Sequence, residues 1–323
     1  MSTNIWVAKL NRPMRRRNMY IILSVIILLE IALFAWSYQS KTNPLKTATD
    51  KLPLGAVAPT FQGNVYGPVG NPLNKPMAVA FVNQQICITD TNNQRVQIFD
   101  SEGKPISTFG KSGEKEGEFR FPYGIAGDAQ GQTYVTDLYN GNISVFSSDG
   151  QFKKYFGKKG DFKSPAGIAI DGDKVYIADV GNNQILVYSL DGTQLLKFGK
   201  KGEQDGQLSS PNVVQHVGNK IYVSDTGNDR IEVFDEQGNF LLKATSEIAN
   251  PRGLSVDAQG NIYVVSNLSS QIVVFNAKGE RLFMFGGIGS DDGQLSFPNG
   301  LTRDSQGRFY VTDVGNARVV IYQ

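Results

Sequence analysis

The chain holds few residues able to carry reaction chemistry, and the most reactive types occur singly. There is one His, His216, and one Cys, Cys87, among 323 residues. One imidazole cannot build a site that needs two or three from the same chain, which removes the histidine-rich zinc centres. One thiol forms neither an intrachain disulfide nor a thiolate cage. His216 is therefore not expected to ligate a metal. Cys87, inside Ile86-Cys87-Ile88, is expected to be a small core residue. Carboxylates recur instead, at Asp90, Asp137, Asp179, Asp225 and Asp313, each ending a run such as QICITD or KVYIAD. A residue needed once for catalysis would not recur five times. With Asn three positions later, each Asp is expected to build a turn. Its carboxylate would accept backbone N–H groups two or three residues on, and the Asn would tolerate positive φ.

Residues that break the repetition are better candidates for ligand contact. A Pro opens each unit, at Pro76, Pro122, Pro165, Pro211, Pro251 and Pro298, and the next residue varies: Met77, Tyr123, Ala166, Asn212, Arg252 and Asn299. Tyr123, Asn212, Arg252 and Asn299, with Tyr139 and Arg120, form a set suited to a peptide or sugar. Lys153, Lys154, Lys158, Lys159, Lys200 and Lys201, with Lys163 and Lys197 between them, form a basic patch suited to an anionic polymer or headgroup.

The elements that must position these residues repeat every 40–47 residues from Pro76 to Pro298. After each Pro comes a short apolar run, then an alternating run ending in Asp (Ser in unit five). A turn, a second alternating run such as RIEVFD, a Gly turn and a last strand such as ISTFG follow. Four short strands at this spacing predict the blade of a β-propeller, and such blades must stack around an axis to bury both faces. The sixth unit stops after its third strand at Gln323. The segment FQGNVYG from Phe61 is expected to supply the missing strand and close the ring, leaving no open edge. Unit five, with Ser266-Asn267-Leu268-Ser269-Ser270-Gln271, lacks the Asp and Gly of the other turns.

These motifs resemble the NHL repeat family. The carrying residues are P-x-G-[IL], then the Asp-x-x-Asn pair followed by Arg95, Asn142, Gln184, Arg230 or Arg318, and the loop G-x-x-G-x-x-x-G-x-[FL]-x-x-P at three places. The resemblance implies an all-β, six-bladed propeller of four-stranded antiparallel blades over 61–323. Propellers similar to this include enzymes. The lyase type holds zinc through histidines, and the lactonase type holds a metal through Glu, Asp and Asn in the channel. Asn212 and Asn299 match part of the lactonase set, but no Glu stands at an equivalent blade start. No cofactor and no metal are expected. A metal-dependent lactonase-like or lyase-like enzyme is the alternative, and the sensor domain of a membrane signalling complex is another.

Residues 19–38 read MYIILSVIILLEIALFAWSY, long enough as a helix to cross the hydrocarbon core. Lys9, Arg12, Arg15, Arg16 and Arg17 precede them, so the basic arm 1–18 is expected in the cytoplasm. The span is expected to be an uncleaved signal anchor, followed by a flexible linker over 39–60 and the propeller outside the cytoplasm. Glu30, inside the span, is a candidate contact for a partner membrane helix. The formal net charge of +2 comes from the short arm. Nucleic acid is therefore not an expected partner. The expected role is a membrane-tethered scaffold for a protein, a peptide or an anionic envelope polymer.

Overall fold

The computed structural model describes residues 58–323. The expected anchor 19–38, Glu30 and the basic arm lie outside the described residues. Among the described residues no helix is long and apolar enough to cross a membrane.

Six antiparallel sheets of four strands form the blades, five of them in sequential strand order, and Lys111–Ser112 pairs parallel with Glu118–Phe119 in a small added sheet. Blade one runs through Pro76–Val82, Gln85–Asp90, Arg95–Phe99 and Pro105–Phe109. Blade two runs through Pro122–Gly127, Thr133–Asp137, Asn142–Phe146 and Phe152–Tyr155. The pattern repeats from Pro165, Pro211, Pro251 and Pro298. The six first strands neighbour one another around the axis. Blade six takes its fourth strand from Phe61–Tyr66, which pairs antiparallel with Arg318–Tyr322. Thr60 N donates to Gln323 O at 2.7 Å and Gln323 N to Thr60 O at 2.9 Å, so the ring closes as expected.

The inner strands do not alternate as their sequences suggest. Second strands such as Gln85–Asp90 and Lys174–Asp179 are buried at nearly every position. Each blade is sandwiched between two neighbours, so both of its faces are core. Six apolar clusters fill the six interfaces. Val65, Val79, Ile86, Phe99 and Tyr310, for example, sit between blades six and one. Fourth strands such as Phe152–Tyr155 lie at the periphery and are largely exposed. Cys87 is a buried core residue between blades one and two, as expected.

The P-x-G opening has a local cause. In every blade the Pro pairs with the last residue of the second strand, and the register then slips by one residue before the next pair, Pro122↔Asp137 and then Ile125↔Val135 in blade two. This bulge places the residue after the Pro toward the axis. The third position is a close approach: a Cβ on Gly167 would lie 2.6 Å from the Asn212 carbonyl oxygen of the next blade.

The repeated Asp residues are structural, but their partners differ from the turn expected. Only Asp137 accepts N–H groups two and three residues on, from Tyr139 and Asn140. All five instead accept a backbone N–H from the loop entering their own blade, 15 to 17 residues earlier. The Asn does not take positive φ; the following residue does, at Gln94, Asn183, Asp229 and Ala317. The Asn amide donates to the Asp, at 2.7 Å for Asn228 to Asp225. Unit five reaches the same turn without the Asp: Ser266 Oγ accepts Ala249 N at 2.9 Å, and Ser270 takes φ 54°. Three blades add an arginine. Arg95, Arg230 and Arg318 donate Nε to Asp90, Asp225 and Asp313 at 2.7, 2.8 and 2.8 Å.

Blade four carries a second buried acid. Glu232 contacts Arg230 at 3.1 Å and accepts Gly206 N, and its Oε2 has no partner. Burial pushes its carboxyl up to about 7 from 4.5. A raised carboxyl favours the protonated folded state, so this group costs stability increasingly as pH rises from about 4.5 to 7. Glu232→Gln is expected to raise the melting temperature at pH 8, with the gain fading by pH 4. A lower melting temperature at pH 8 would contradict the assignment.

Candidate functional site

The bulges bring Met77, Tyr123 and Ala166 together over the axis as one buried cluster. Asn212 and Asn299 are buried beside them and Arg252 is half-buried. In four blades a hydroxyl one residue before the end of the second strand holds a carbonyl of this ring, Thr312 to Met77 O at 3.3 Å being the longest. Thr89 donates to Tyr123 O at 2.9 Å, Thr136 to Ala166 O at 2.6 Å and Ser224 to Arg252 O at 2.6 Å.

Four of the expected site residues meet directly. Tyr123 Oη donates to Asn212 Oδ1 at 2.9 Å, with Asn299 Oδ1 at 3.3 Å, and accepts Arg252 Nη1 at 3.3 Å. Asn299 Nδ2 donates to Met77 O at 2.7 Å. They therefore form a floor, rather than the open rim expected, in which the phenol, the two amide oxygens and one guanidinium nitrogen pair with one another, leaving Arg252 Nε over. The Tyr ring is long enough to reach across the axis and close it. Below the floor a channel cavity of about 50 Å³ touches Met77, Tyr123 and Asn299 of the floor and is otherwise lined by glycines, aliphatic residues and Gln215, with no carboxylate. The lactonase-type donor set does not fit here, because the Asn oxygens face a phenol. Tyr123→Phe would leave Asn212 Oδ1 buried without its donor, an expected loss of ~1–3 kcal/mol read as a lower melting temperature. An unchanged transition would show that the knot contributes nothing to stability.

Above the floor lies a bowl of about 310 Å³, bounded by residues that precede the opening Pro. Of the six residues at that place, Lys75, Phe121 and Phe297 line it, while Ser164, Ser210 and Asn250, at the same place in the other three blades, do not. Their distribution is lopsided, with an aromatic and cationic half and a polar half. Lys75 Nζ sits 5.1 Å over the Phe121 ring, and Tyr139 packs on Phe121 with centroids 4.6 Å apart. Phe297 is 57% exposed and Tyr139 59%. Phe297 also holds φ 48°, a costly conformation for a bulky side chain. Arg252 Nε, out of solvent, has no partner. Lys75, Phe121 and Phe297 were missed by the sequence reading. The available signal was an aromatic or cation where other units place Ser or Asn.

Arg120 lies off the bowl, paired with Glu114 at 3.2 Å. The basic patch divides. Lys158, Lys159 and Lys163 line one groove with Tyr139 and Tyr155. Lys153 and Lys154 stand on the outer strand Phe152–Tyr155, close enough to Asp149 and Asp191 to help lower their carboxyls after the nearby hydroxyls, Ser147 and Ser189 first. Lys200 and Lys201 belong to the next loop, before blade four. His216 stacks on Tyr176 at 4.7 Å with Nδ1 2.6 Å from Asp171. Among the described residues no group of three or more His, Cys, Asp or Glu is placed to hold a metal.

A family model described as a six-bladed β-propeller matches residues 125–200, and the NHL repeat model matches 73–99 and 295–322. Solved structures of similar form include streptogramin B lyase, at 14% identity and TM-score 0.59 over 80% of this chain and 82% of that one. A gluconolactonase of Xanthomonas campestris aligns at 17% and 0.62 over 85% and 98%. Hydrazine synthase of Kuenenia stuttgartiensis aligns at 18% and 0.57 over 77% and 76%. At these identities the likeness is one of fold.

Proposed function

We propose that this NHL-repeat propeller is a membrane-tethered binding module, held outside the cytoplasm, whose ligand seat is the bowl over its axis. The observation that carries the reading is the rim. Exposed Phe297 lines the bowl with Lys75, Phe121 and Arg252, and Tyr139 backs Phe121 from outside it, a combination of aromatic anchors and an arginine of the kind found in binding hot spots. The ligand that fits is a protein or peptide segment presenting an apolar side chain to the aromatic half and a carboxylate to Lys75 and Arg252. The sequence of 19–38 and the preceding basic arm support the tether and its orientation.

Protease added to intact cells should digest the propeller. Protection would place it in the cytoplasm, where a nucleic-acid partner becomes the competing reading. Phe297→Ser with Lys75→Ser should remove the proteins that copurify with the full-length chain while the melting temperature holds. An unchanged set of partners would remove the bowl from the proposal. Glu30→Leu tests separately for a partner helix in the membrane.

The enzyme reading is supported by the lyase and lactonase folds alone. Metal analysis of the purified full-length protein separates the two, since a stoichiometric divalent cation would favour a lactonase-like centre.

A further inference from the structure

A third cavity, of about 700 Å³, opens on the outer side of blades two and three. Its origin is a side-chain substitution within the repeat. Arg230 and Arg318 begin the third strands of blades four and six. Their guanidinium groups fill the space beside the entering loop, reaching Glu203 O, Gln204 O and Gln207 O, and Asp291 O and Gln294 O. Blade two has the same long loop but begins its third strand with Asn142. The shorter side chain leaves the space open, and Asn142 Oδ1 lies out of solvent with no hydrogen-bond partner. Asp137 does not need the missing guanidinium, because Arg120 N, Phe121 N, Tyr139 N, Asn140 N and Asn140 Nδ2 all donate to it.

The rest of the groove has a consistent chemistry. Lys158, Lys159 and Lys163 surround it, against one acid, Glu114, which is already paired with Arg120. Tyr139 and Tyr155 offer exposed ring faces. An orphaned acceptor at the inner end calls for an O–H donor, the lysines call for an anion, and flat aromatic faces suit the C–H face of a sugar ring. We propose that this groove binds an acidic sugar unit, its carboxylate on the lysines and a ring hydroxyl donating to Asn142. The site is distinct from the axial bowl, with Tyr139 on the ridge between them.

Calorimetric titration of the full-length protein in detergent with tri-galacturonic acid and tri-glucuronic acid tests this. At least one is expected to bind saturably, and its methyl ester at least ~10-fold more weakly, a difference of about 1.4 kcal/mol. Asn142→Arg, which returns the arginine of the other blades, should fill the inner end and weaken binding at least ~10-fold. Lys158→Gln with Lys159→Gln, both exposed, should do the same without touching the fold, and Phe297→Ser should leave binding intact. Absence of saturable binding by both acids overturns the proposal. Binding unchanged in the lysine double variant overturns it also, as does inorganic phosphate competing as well as the sugar.

Discussion

Replacing Phe61–Tyr66 by Gly and Ser of equal length is expected to abolish cooperative folding. Five residue pairs join this strand to Arg318–Tyr322, and Val65, 1% exposed, belongs to the core between blades six and one. Losing the strand exposes the edge of Arg318–Tyr322 and opens the face of Tyr310 and Val319. Burial of one aliphatic or aromatic side chain contributes ~1.5–3 kcal/mol, so Val65 and half-buried Phe61 with their ladder approach the ~5–15 kcal/mol that holds a whole domain. The expected result is an aggregating chain without a sharp melting transition. A soluble variant with the parent's transition would mean that blade six is stable on three strands and that closure is ornamental.

Asp313→Ala should be the most damaging single substitution among the repeated positions. Arg318 is 4% exposed at its side chain, and Asp313 Oδ2 accepts its Nε at 2.8 Å. Removing the carboxylate leaves a buried guanidinium with Asp291 O, Gln294 O and a distant Tyr66 Oη as neutral acceptors, takes the side-chain acceptor of Ser296 N, and leaves Asn316 Nδ2 with Gly289 O alone. Breaking one side of such a pair costs ~3–5 kcal/mol, or about 10 °C for a domain of this size. Asp179 is the internal control. It holds Lys163 N, Ser164 N and Asn182 Nδ2, but its blade begins the third strand with Gln184. No buried charge is stranded there, so Asp179→Ala should cost less, ~1–3 kcal/mol. Equal losses at Asp179 and Asp313 would remove the arginine from the explanation.

The contrast between these two aspartates shows what a linear reading reaches. The period of the repeat, its four strands and the closing segment from Phe61 are legible, because each depends on local pattern and length. The identity of the partner of each Asp is not. It depends on a loop some 16 residues upstream and on the residue five positions downstream, which change from blade to blade. The meeting of Tyr123, Asn212, Arg252 and Asn299 follows from a shared place after the Pro. Whether they line a mouth or seal it depends on the bulge and on the reach of one phenol, which no two-residue period encodes. The same limit hid Thr89, Thr136 and Ser224, whose hydroxyls cross between blades, and Phe297, an aromatic left exposed beside the axis.

The seat of ligand binding is open to one direct measurement. A photoreactive phenylalanine analogue at Phe297 of the full-length protein, irradiated in intact cells, reports what lies over the bowl. The same group at Leu195, exposed on the outer strand Gln194–Phe198, reports the side of blade three. Discrete crosslinked products are predicted from position 297, absent from 195 and lost with Lys75→Glu. Identical products from both positions, or none from 297, would contradict a ligand seat over the axis.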